Sequence, residues 1–515
     1  MNQDNSNNKR LVKNTLLLYF RMLFTMAVGL YASRLILSIL GVSDYGIYNI
    51  VGGVVILISI INNSLSEGTQ RFITFELGKG DYQLVSKSFS LSMTAHLIIS
   101  GIILLLGETI GLFYILYYLN IPEGREFAAL ITYQLSLLTI VSTIIRTPYQ
   151  ASVIAYEDMF FFAYISIFEA ILKLIFILCL SLYGSDKLIG FAGLLLLLSI
   201  IVTGIYKFYC KHHFVTCRYI PMMDKNYFKK MMSFFGWNFV GTISTAGSTQ
   251  AGNMIINFFC GTIANAAYGV ANQVNSALNG LTTSFQTAFT PQIVKFYSQN
   301  DKENMFLLMR RASLLSFYLL YVFSLPLLFK IDYVLGIWLE EVPLYSGIFV
   351  TLLICYNLID SLQSPLWKAI IATGNIKVYE LWLSVILILN IPISFILLKN
   401  GAAPYAVLIT SVTLNFISSI IRTIHVKLQL GFHVTSYLKD VILRAIIVLI
   451  CSAFVISQLH NYIPANNFGQ FLIYYIIACL LTISIIFIFG LNANDRRVIV
   501  TLVINKIKKY KDEIP

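Results

Sequence analysis

Four basic residues of this chain lie inside strongly apolar segments, where a charge requires an explanation. They are Arg21, Arg34, Arg146 and Lys173. At 1.5 Å of rise per helical residue, Arg21 lies about 12 Å and Lys173 about 20 Å inside its segment. A cation at that depth is costly unless it faces a polar cavity or a partner. Because guanidinium and ammonium groups bind phosphate, the four residues are candidate cavity cations for an anionic ligand.

These cations also have simpler interpretations. Glu169 precedes Lys173 by one helical turn, which predicts a local ion pair. Arg34 and Arg146 lie near the ends of their segments, so their side chains can reach the membrane interface. Arg21 has no such partner on its own helix, and we therefore expect it to serve the ligand.

Uncharged polar residues recur at helical spacing in two later segments. One helical sector near 235–259 contains Asn238, Thr242, Thr245, Thr249 and Asn253, and one near 262–290 contains Asn265, Asn272, Ser276, Asn279, Thr283 and Gln286. Amide and hydroxyl groups suit a polyhydroxylated ligand. The alternative is that they join helices by interhelical hydrogen bonds. The predicted substrate-binding polar stripe comprises Asn238, Thr245, Thr249, Asn253, Asn272, Asn279 and Gln286.

Fourteen apolar stretches must position these side chains. Each is long enough for the roughly 20 residues that a membrane span requires, and 57% of the 515 residues are hydrophobic while only 12% are charged. The stretches lack the short alternating pattern of membrane β-strands. The sequence therefore predicts an all-α polytopic membrane protein with about 14 transmembrane helices. They lie near 14–38, 47–70, 89–118, 128–150, 160–182, 188–209, 235–259, 262–290, 306–329, 343–367, 379–398, 402–424, 438–459 and 470–490.

The basic residues predict the orientation. With a cytoplasmic N-terminus, 28 of the 36 Lys and Arg residues fall on the cytoplasmic side and 4 on the outer side. This bias follows the positive-inside rule. The polar N-terminus leads into a span too long for a signal peptide, so we expect that helix to be retained. Both termini should then be cytoplasmic.

An internal repeat organises the chain. Residues 41–81 align without a gap on residues 261–301, an offset of 220. The two segments share a turn, a span and a polar cytoplasmic end. Six spans in each half predict two bundles of equal orientation facing a central cavity, an arrangement suited to alternating access. The expected divisions are 1–209 for the first bundle, 210–234 for a basic cytoplasmic linker, 235–425 for the second bundle, 426–490 for two additional helices and 491–515 for a basic cytoplasmic tail.

Other classes of function find little support. The net charge of +12 lies at membrane edges, where anionic lipid headgroups are nearer than nucleic acid. P-loop, HExxH and GxSxG motifs are absent. Cys210, His212, His213 and Cys217 do not have the spacing of a usual zinc site. We expect no catalytic residues, metal or cofactor, and favour movement of a solute over chemistry.

Two segments resemble a known family. RLILSILGVSDYGIYNIVGGVVILISIINNSLSEGTQRFITFELGKGD, residues 34–81, resembles the opening of Wzx-type bacterial O-antigen and capsule flippases. GVANQVNSALNGLTTSFQTAFTPQIVKFYSQND, residues 269–301, resembles the matching signature of their second half. These flippases belong to the multidrug/oligosaccharidyl-lipid/polysaccharide (MOP) exporter superfamily. The resemblance implies the MATE-like fold of two six-helix bundles plus two C-terminal helices.

The resemblance also implies a function. It indicates a flippase in the bacterial inner membrane that moves undecaprenyl-pyrophosphate-linked oligosaccharide, the O-antigen or capsule repeat unit, to the outer leaflet. Beyond that substrate and the lipid bilayer, partners would include an O-antigen polymerase and other polysaccharide-assembly proteins. The alternatives are a lipid II flippase, a cation-coupled multidrug exporter of the same superfamily, and a membrane-embedded glycosyltransferase or polymerase.

Overall fold

The computed structural model describes residues 2–118, 121–181, 186–339, 341–463, 467–492 and 496. Within these ranges the chain is helical and contains no strand, as the sequence predicts. The helices are α1 (Asn2–Lys79), α2 (Tyr82–Leu106), α3 (Leu112–Tyr118), α4 (Glu126–Ala155), α5 (Met159–Ser181), α6 (Lys187–His213), α7 (Lys225–Ser298), α8 (Lys302–Phe329), α9 (Ile331–Trp338), α10 (Ser346–Thr373), α11 (Lys377–Ile388), α12 (Asn390–Lys399), α13 (Ala406–Leu430), α14 (Val434–Tyr437), α15 (Leu443–Tyr462) and α16 (Phe468–Ile485).

Twelve helical segments of the described chain are long and apolar enough to cross a membrane. The 74-residue helix α7 counts once in that number, although Gly261 divides it into two parts. Gly41 divides α1 in the same way, and the counted segment of α1 is its first part, Leu17–Gly41. The sequence predicts about fourteen spans because it places one span on each side of Gly41 and one on each side of Gly261. These two breaks account for the difference from twelve. The chain is therefore a multi-pass membrane protein.

The two breaks have the same backbone geometry. Gly41 has φ 76° and ψ 171°, and Gly261 has φ 77° and ψ −171°. This combination is essentially confined to glycine, because a Cβ atom makes it strained. Each glycine ends one helical part and starts the next without a loop. We call the part of α1 after its break, residues 42–79, arm A, and the equivalent part of α7, residues 262–298, arm B.

The ends of arm A and arm B also match. Gly80 and Asn300 both have positive φ, at 76° and 59°. Asp81 and Asp301 follow, and each side chain accepts a hydrogen bond from the backbone N–H three residues later, at 2.9 and 3.2 Å. A left-handed residue ends one helix and an Asp then caps the next. The predicted repeat thus extends to the backbone torsions at both ends.

The chain forms two compact units. The first unit comprises Met1–Ser248, Thr283–Met305 and Lys368–Ile388. Its core contains Phe89, Val153, Val202 and Leu18, all of which are almost completely buried. The last part of arm B and the end of α10 thus belong with helices from the first half of the sequence.

A three-residue ion cluster joins three helices within the first unit. Arg125 donates hydrogen bonds to both carboxylate oxygens of Asp44 and to both of Asp186, at 2.5 to 3.2 Å. Asp186 in turn caps α6 by accepting from the backbone N–H groups of Leu188 and Ile189. The cluster therefore ties the start of arm A to the starts of α4 and α6.

The second unit comprises Thr249–Thr282, Phe306–Trp367 and Leu389–Pro515. Buried tyrosines hold its helices together. The Tyr437 hydroxyl donates to the Leu362 carbonyl at 2.9 Å, and the Tyr321 hydroxyl pairs with Ser452 at 2.8 Å. Hydroxyl contacts of this kind are common between membrane helices.

The domain divisions expected from the repeat, at 209, 234, 425 and 490, stay predictions. The expected basic tail at 491–515 lies, apart from residues 491, 492 and 496, outside the described residues. The cytoplasmic location of both termini likewise stays a prediction.

Candidate substrate site in the first unit

Three of the four predicted cavity cations gather around α5. Arg21 places its guanidinium 4.6 Å from the centroid of the Phe162 ring and 3.5 Å from the Ser166 hydroxyl. Its Nε atom is buried without a hydrogen-bond partner among the described residues. These contacts are all uncharged. They hold the guanidinium in place without neutralising it.

Arg146 and Lys173 share a single carboxylate. Arg146 Nη1 donates to Glu169 Oε1 at 3.1 Å, and Lys173 interacts electrostatically with the same carboxylate. The side chain of Arg146 is 13% exposed. The spacing of Glu169 and Lys173 predicts their interaction. Arg146 of the neighbouring helix α4 makes a closer contact with the same carboxylate.

Tyr206 of α6 completes this cation cluster. Arg146 lies 5.9 Å from the centroid of its ring, and Tyr206 is close enough to Arg21 and Glu169 to interact electrostatically with both. In the contacts that the structure describes, Arg146 and Lys173 share the carboxylate of Glu169, and Arg21 contacts no carboxylate. The cluster carries an excess positive charge inside membrane-spanning helices. Because such a charge is costly in hydrocarbon, an anionic ligand would be stabilised there.

The remaining predicted residues lie elsewhere. Arg34 is exposed. Of the polar stripe, Asn238, Thr245 and Gln286 belong to the first unit, and Thr249, Asn253, Asn272 and Asn279 belong to the second. Thr249 and Asn279 are exposed, whereas Asn253 and Asn272 are half-buried. The Thr245 hydroxyl donates to the Gly241 carbonyl of its own helix. Contact between the stripe and a ligand stays a prediction.

A second polar feature of the first unit is a cavity of about 90 Å³, here called the inner cavity. Its charged lining consists of Glu67, Arg71 and Lys368. Lys368 Nζ lies 2.5 Å from Glu67 Oε1, and Asn238 Nδ2 donates to Glu67 Oε2 at 3.3 Å. The rest of the lining is Gln70, Thr283, Gln286, Thr287, Thr290, Val294 and Ile371. Gln286 of the predicted stripe therefore does line a polar cavity.

Arg71 caps the end of α10. Its Nε and Nη2 atoms donate to the Ala372 carbonyl at 3.2 and 2.9 Å, and its guanidinium stacks over Phe72 and Phe75. A cation is favourable at a helix C-terminus, where carbonyl groups lack partners. Gly374, with φ 75°, leaves room for the guanidinium, because an added Cβ would lie 2.7 Å from Arg71 Nη2.

A further ion pair joins arm B to the turn between α4 and α5. Lys295 Nζ donates to Glu157 Oε1 at 2.6 Å. Glu157 adopts a left-handed conformation with φ 60°, which is uncommon for a residue other than glycine. The backbone of the turn is therefore strained at Glu157, and the Glu157 carboxylate contacts arm B.

Sequence reasoning misses the inner cavity. By position along the chain, Arg71 and Lys368 count among the basic residues of the cytoplasmic edge, although Lys368 is flanked by Leu366, Trp367, Ala369 and Ile370. That apolar neighbourhood is a signal of burial. The pairing with Glu67 has no local signal, since the two residues are 301 positions apart.

The Cys and His residues near the end of α6 make other contacts. His212 and His213 pack against the rings of Phe208 and Tyr209, and Cys210 is buried. Among the described residues, no group of three or more His, Cys, Asp or Glu side chains is placed to hold a metal ion.

Comparison with known proteins identifies the fold. No protein-family model matches the chain, and no curated protein matches it in sequence. Solved structures are similar. The crystal structure of a mutant MATE protein superposes with a TM-score of 0.70 at 13% identity, over 81% of this chain and 96% of that one. This is the fold of the MOP-superfamily transporters.

Two further structures support that assignment. An outward-facing MATE multidrug resistance transporter of the MOP superfamily has a TM-score of 0.66 at 14% identity, over 81% of this chain and 96% of that one. A MOP-superfamily transporter from Pyrococcus furiosus Vc1 has a TM-score of 0.65 at 13% identity, over 82% and 96%. The description of the latter says that a reversed polarity of its binding pocket suggests a different function. The MOP fold expected from the sequence is confirmed.

Proposed function

We propose that this MOP-fold protein is a flippase that moves undecaprenyl-pyrophosphate-linked oligosaccharide from the cytoplasmic to the outer leaflet of the bacterial inner membrane. The substrate would be an O-antigen or capsule repeat unit, and transport would proceed by alternating access. The observation that carries the proposal is the cation cluster around α5, in which Arg146 and Lys173 share the Glu169 carboxylate and Arg21 has only uncharged contacts. A pyrophosphate matches this charge, and a glycan matches the amides and hydroxyls of the stripe.

A multidrug exporter of the same superfamily is the second candidate, because solved structures of similar fold include MATE multidrug transporters. An excess of cations in the first unit disfavours a cationic drug, since like charges in a low dielectric repel strongly. A lipid II flippase shares the pyrophosphate and differs in the glycan. The substrate assay must therefore separate head-group charge from glycan identity.

The test is complementation of a flippase-deleted bacterial strain at matched membrane expression, with two repeat-unit structures. Arg21→Ala should reduce export of both glycans by about tenfold or more, because hydrogen bonds to charged groups are worth about 1.5–3 kcal/mol. Arg21→Lys should retain part of the export, since it keeps the charge and loses the bidentate geometry. Arg218→Ala is the matched control and should export normally, because that residue is exposed in the segment after α6 and belongs to neither the cation cluster nor the polar stripe.

The stripe and the alternative function are tested in the same strain. Asn272→Leu and Asn279→Leu should change the relative export of the two glycans, and an equal loss on both would indicate helix packing instead. Wild-type export by Arg21→Ala would remove the phosphate role of that residue. Export of ethidium without complementation by the wild-type chain would support the drug exporter and overturn the flippase.

A further inference from the structure

The inner cavity combines two cations with one carboxylate. Arg71 and Lys368 line it together with Glu67, so the charged lining sums to one positive charge. Glu76 also acts on Arg71 electrostatically, but its carboxylate accepts from Tyr227 and lies 3.9 Å from Lys79. Including that pair leaves the same net charge. A partly buried cavity with an uncompensated positive charge favours an anion.

The two cations have different freedom. Arg71 is 7% exposed and is held by two hydrogen bonds to the end of α10. Lys368 is held by one contact of its flexible side chain, to Glu67. Glu67 has a second partner in Asn238, which would still hold its other oxygen if Lys368 turned away. Lys368 is therefore the cation that can exchange partners within this cavity.

The rest of the lining fits an oxyanion. Gln70 and Gln286 line the cavity, and their side-chain amides can supply donors beside the ammonium group. The volume of about 90 Å³ is several times the about 10–15 Å³ that one water molecule requires. A phosphate group can therefore enter without moving the helices apart.

We propose that the inner cavity is a phosphate-binding subsite. In the absence of ligand the Glu67 carboxylate pairs with the Lys368 ammonium group, and a bound phosphate group replaces Glu67 in this ion pair. Glu67 is then a competitor of the ligand and restricts the subsite to groups of higher charge than its own. The subsite shares no residue with the cation cluster and would make a separate contact with a pyrophosphate. Only the assignment of the bound phosphate to a lipid pyrophosphate rests on the proposed function.

The probe is inorganic pyrophosphate, titrated calorimetrically into the purified full chain in lipid nanodiscs at constant ionic strength. Glu67→Gln keeps the shape and the Asn238 contact while removing the competing charge, so it should bind about tenfold more tightly than wild type, a change equivalent to about 1.4 kcal/mol. Lys368→Gln should bind at least tenfold more weakly. Both variants should be compared with wild type for their thermal unfolding midpoint.

Lys377→Gln is the matched control. Lys377 is exposed, packs over the Trp237 ring and does not line the cavity. It should leave the affinity unchanged. If Lys377→Gln weakens binding as much as Lys368→Gln, the effect is general electrostatics and the subsite is wrong. Equal affinities of Glu67→Gln and wild type would overturn the competition by Glu67.

A second titration distinguishes between an isoprenyl pyrophosphate and a free phosphate compound as the ligand. The affinities of the variants for farnesyl pyrophosphate should follow the same order. If the ligand is an isoprenyl pyrophosphate, farnesyl pyrophosphate should also bind more tightly than inorganic pyrophosphate. If it binds no more tightly, the subsite serves a free phosphate compound. The expected order of affinities, together with a wild-type chain that fails complementation, would uphold the subsite and refute the flippase. Complementation with the order absent would refute the subsite alone.

Discussion

Arm A and arm B have the same backbone and different chemistry. Both start at a glycine of the same torsion angles and end at a left-handed residue followed by a capping Asp. Both contribute to the inner cavity at equivalent positions, with Glu67 and Gln70 on arm A corresponding to Thr287 and Thr290 on arm B. Arm A supplies charged groups to the cavity, whereas arm B supplies hydroxyl and amide groups. The two arms thus share their backbone geometry and differ in the side chains that line the inner cavity.

The largest effect that would test this division concerns Arg71 of arm A. Arg71→Met removes two charge-assisted hydrogen bonds to the end of α10, and the free energy of unfolding should fall by about 2–3 kcal/mol. Thr290→Val on arm B should cost less than about 1 kcal/mol, because that hydroxyl donates only within its own helix. Denaturant unfolding in detergent micelles measures both. Equal losses would mean that the arms contribute alike.

The shared geometry is tested at the two breaks. No atom would lie within 4 Å of a Cβ added at Gly41 or Gly261, so the cost of alanine there is torsional. Gly41→Ala and Gly261→Ala should each lower the free energy of unfolding by about 1–3 kcal/mol. Gly269→Ala, inside arm B with equally open surroundings, should be neutral or slightly stabilising because alanine favours the helix. A neutral result at one break and a loss at the other would show that the two glycines are not equivalent, and neutral results at both would refute the torsional cost.

The smallest expected effect concerns acid and the start of arm A. Burial acts to raise the pKa of Asp186, but the hydrogen bonds from Arg125 and from the backbone of Ile189 and Leu188 outweigh it and lower this pKa below its ordinary value. A lowered carboxyl pKa stabilises the fold above the unfolded-state pKa, and that contribution is lost as the pH falls through the folded-state value. The thermal unfolding temperature of the wild type should therefore decrease as the pH is lowered below about 4, and the decrease should continue until the pH is below the folded-state pKa of Asp186.

The matched variants are Asp186→Asn and Asp332→Asn. Asp186→Asn should melt at a lower temperature at neutral pH and lose less on acidification, since the titrating group is gone. Asp332 is an exposed carboxylate of the second unit, and its substitution should leave the pH profile of the wild type intact. An unchanged profile in Asp186→Asn would assign the acid sensitivity to another group.

Most of the fold could be predicted from the sequence, because hydropathy and helix length are local properties. The sequence predicts spans at 160–182 and 470–490, and the structure has them at 159–181 and 468–490. The repeat is recognisable from the glycines and aspartates at 41, 81, 261 and 301. The sequence predicts two spans at 235–259 and 262–290, and Gly261 divides α7 into two helical parts at that boundary.

The site could be predicted only where burial follows from sequence position. Arg21, Arg146 and Lys173 stand out because a cation inside an apolar run is conspicuous, and the structure brings them around α5. Lys368 escapes notice because it lies near the end of its run. The partners themselves depend on helix packing, which places Glu67 beside Lys368 and gives Glu169 a contact from α4.

The left-handed residues at the ends of the two arms show which positions of the repeat can differ in residue type. The first copy has Gly80 and the second has Asn300, which are the two residue types that most readily adopt this torsion. The break, where only glycine fits, is Gly41 in one copy and Gly261 in the other. Between these points the copies share few residues. The correspondence between the two segments is therefore weak in residue identity and close in the backbone torsions at both ends.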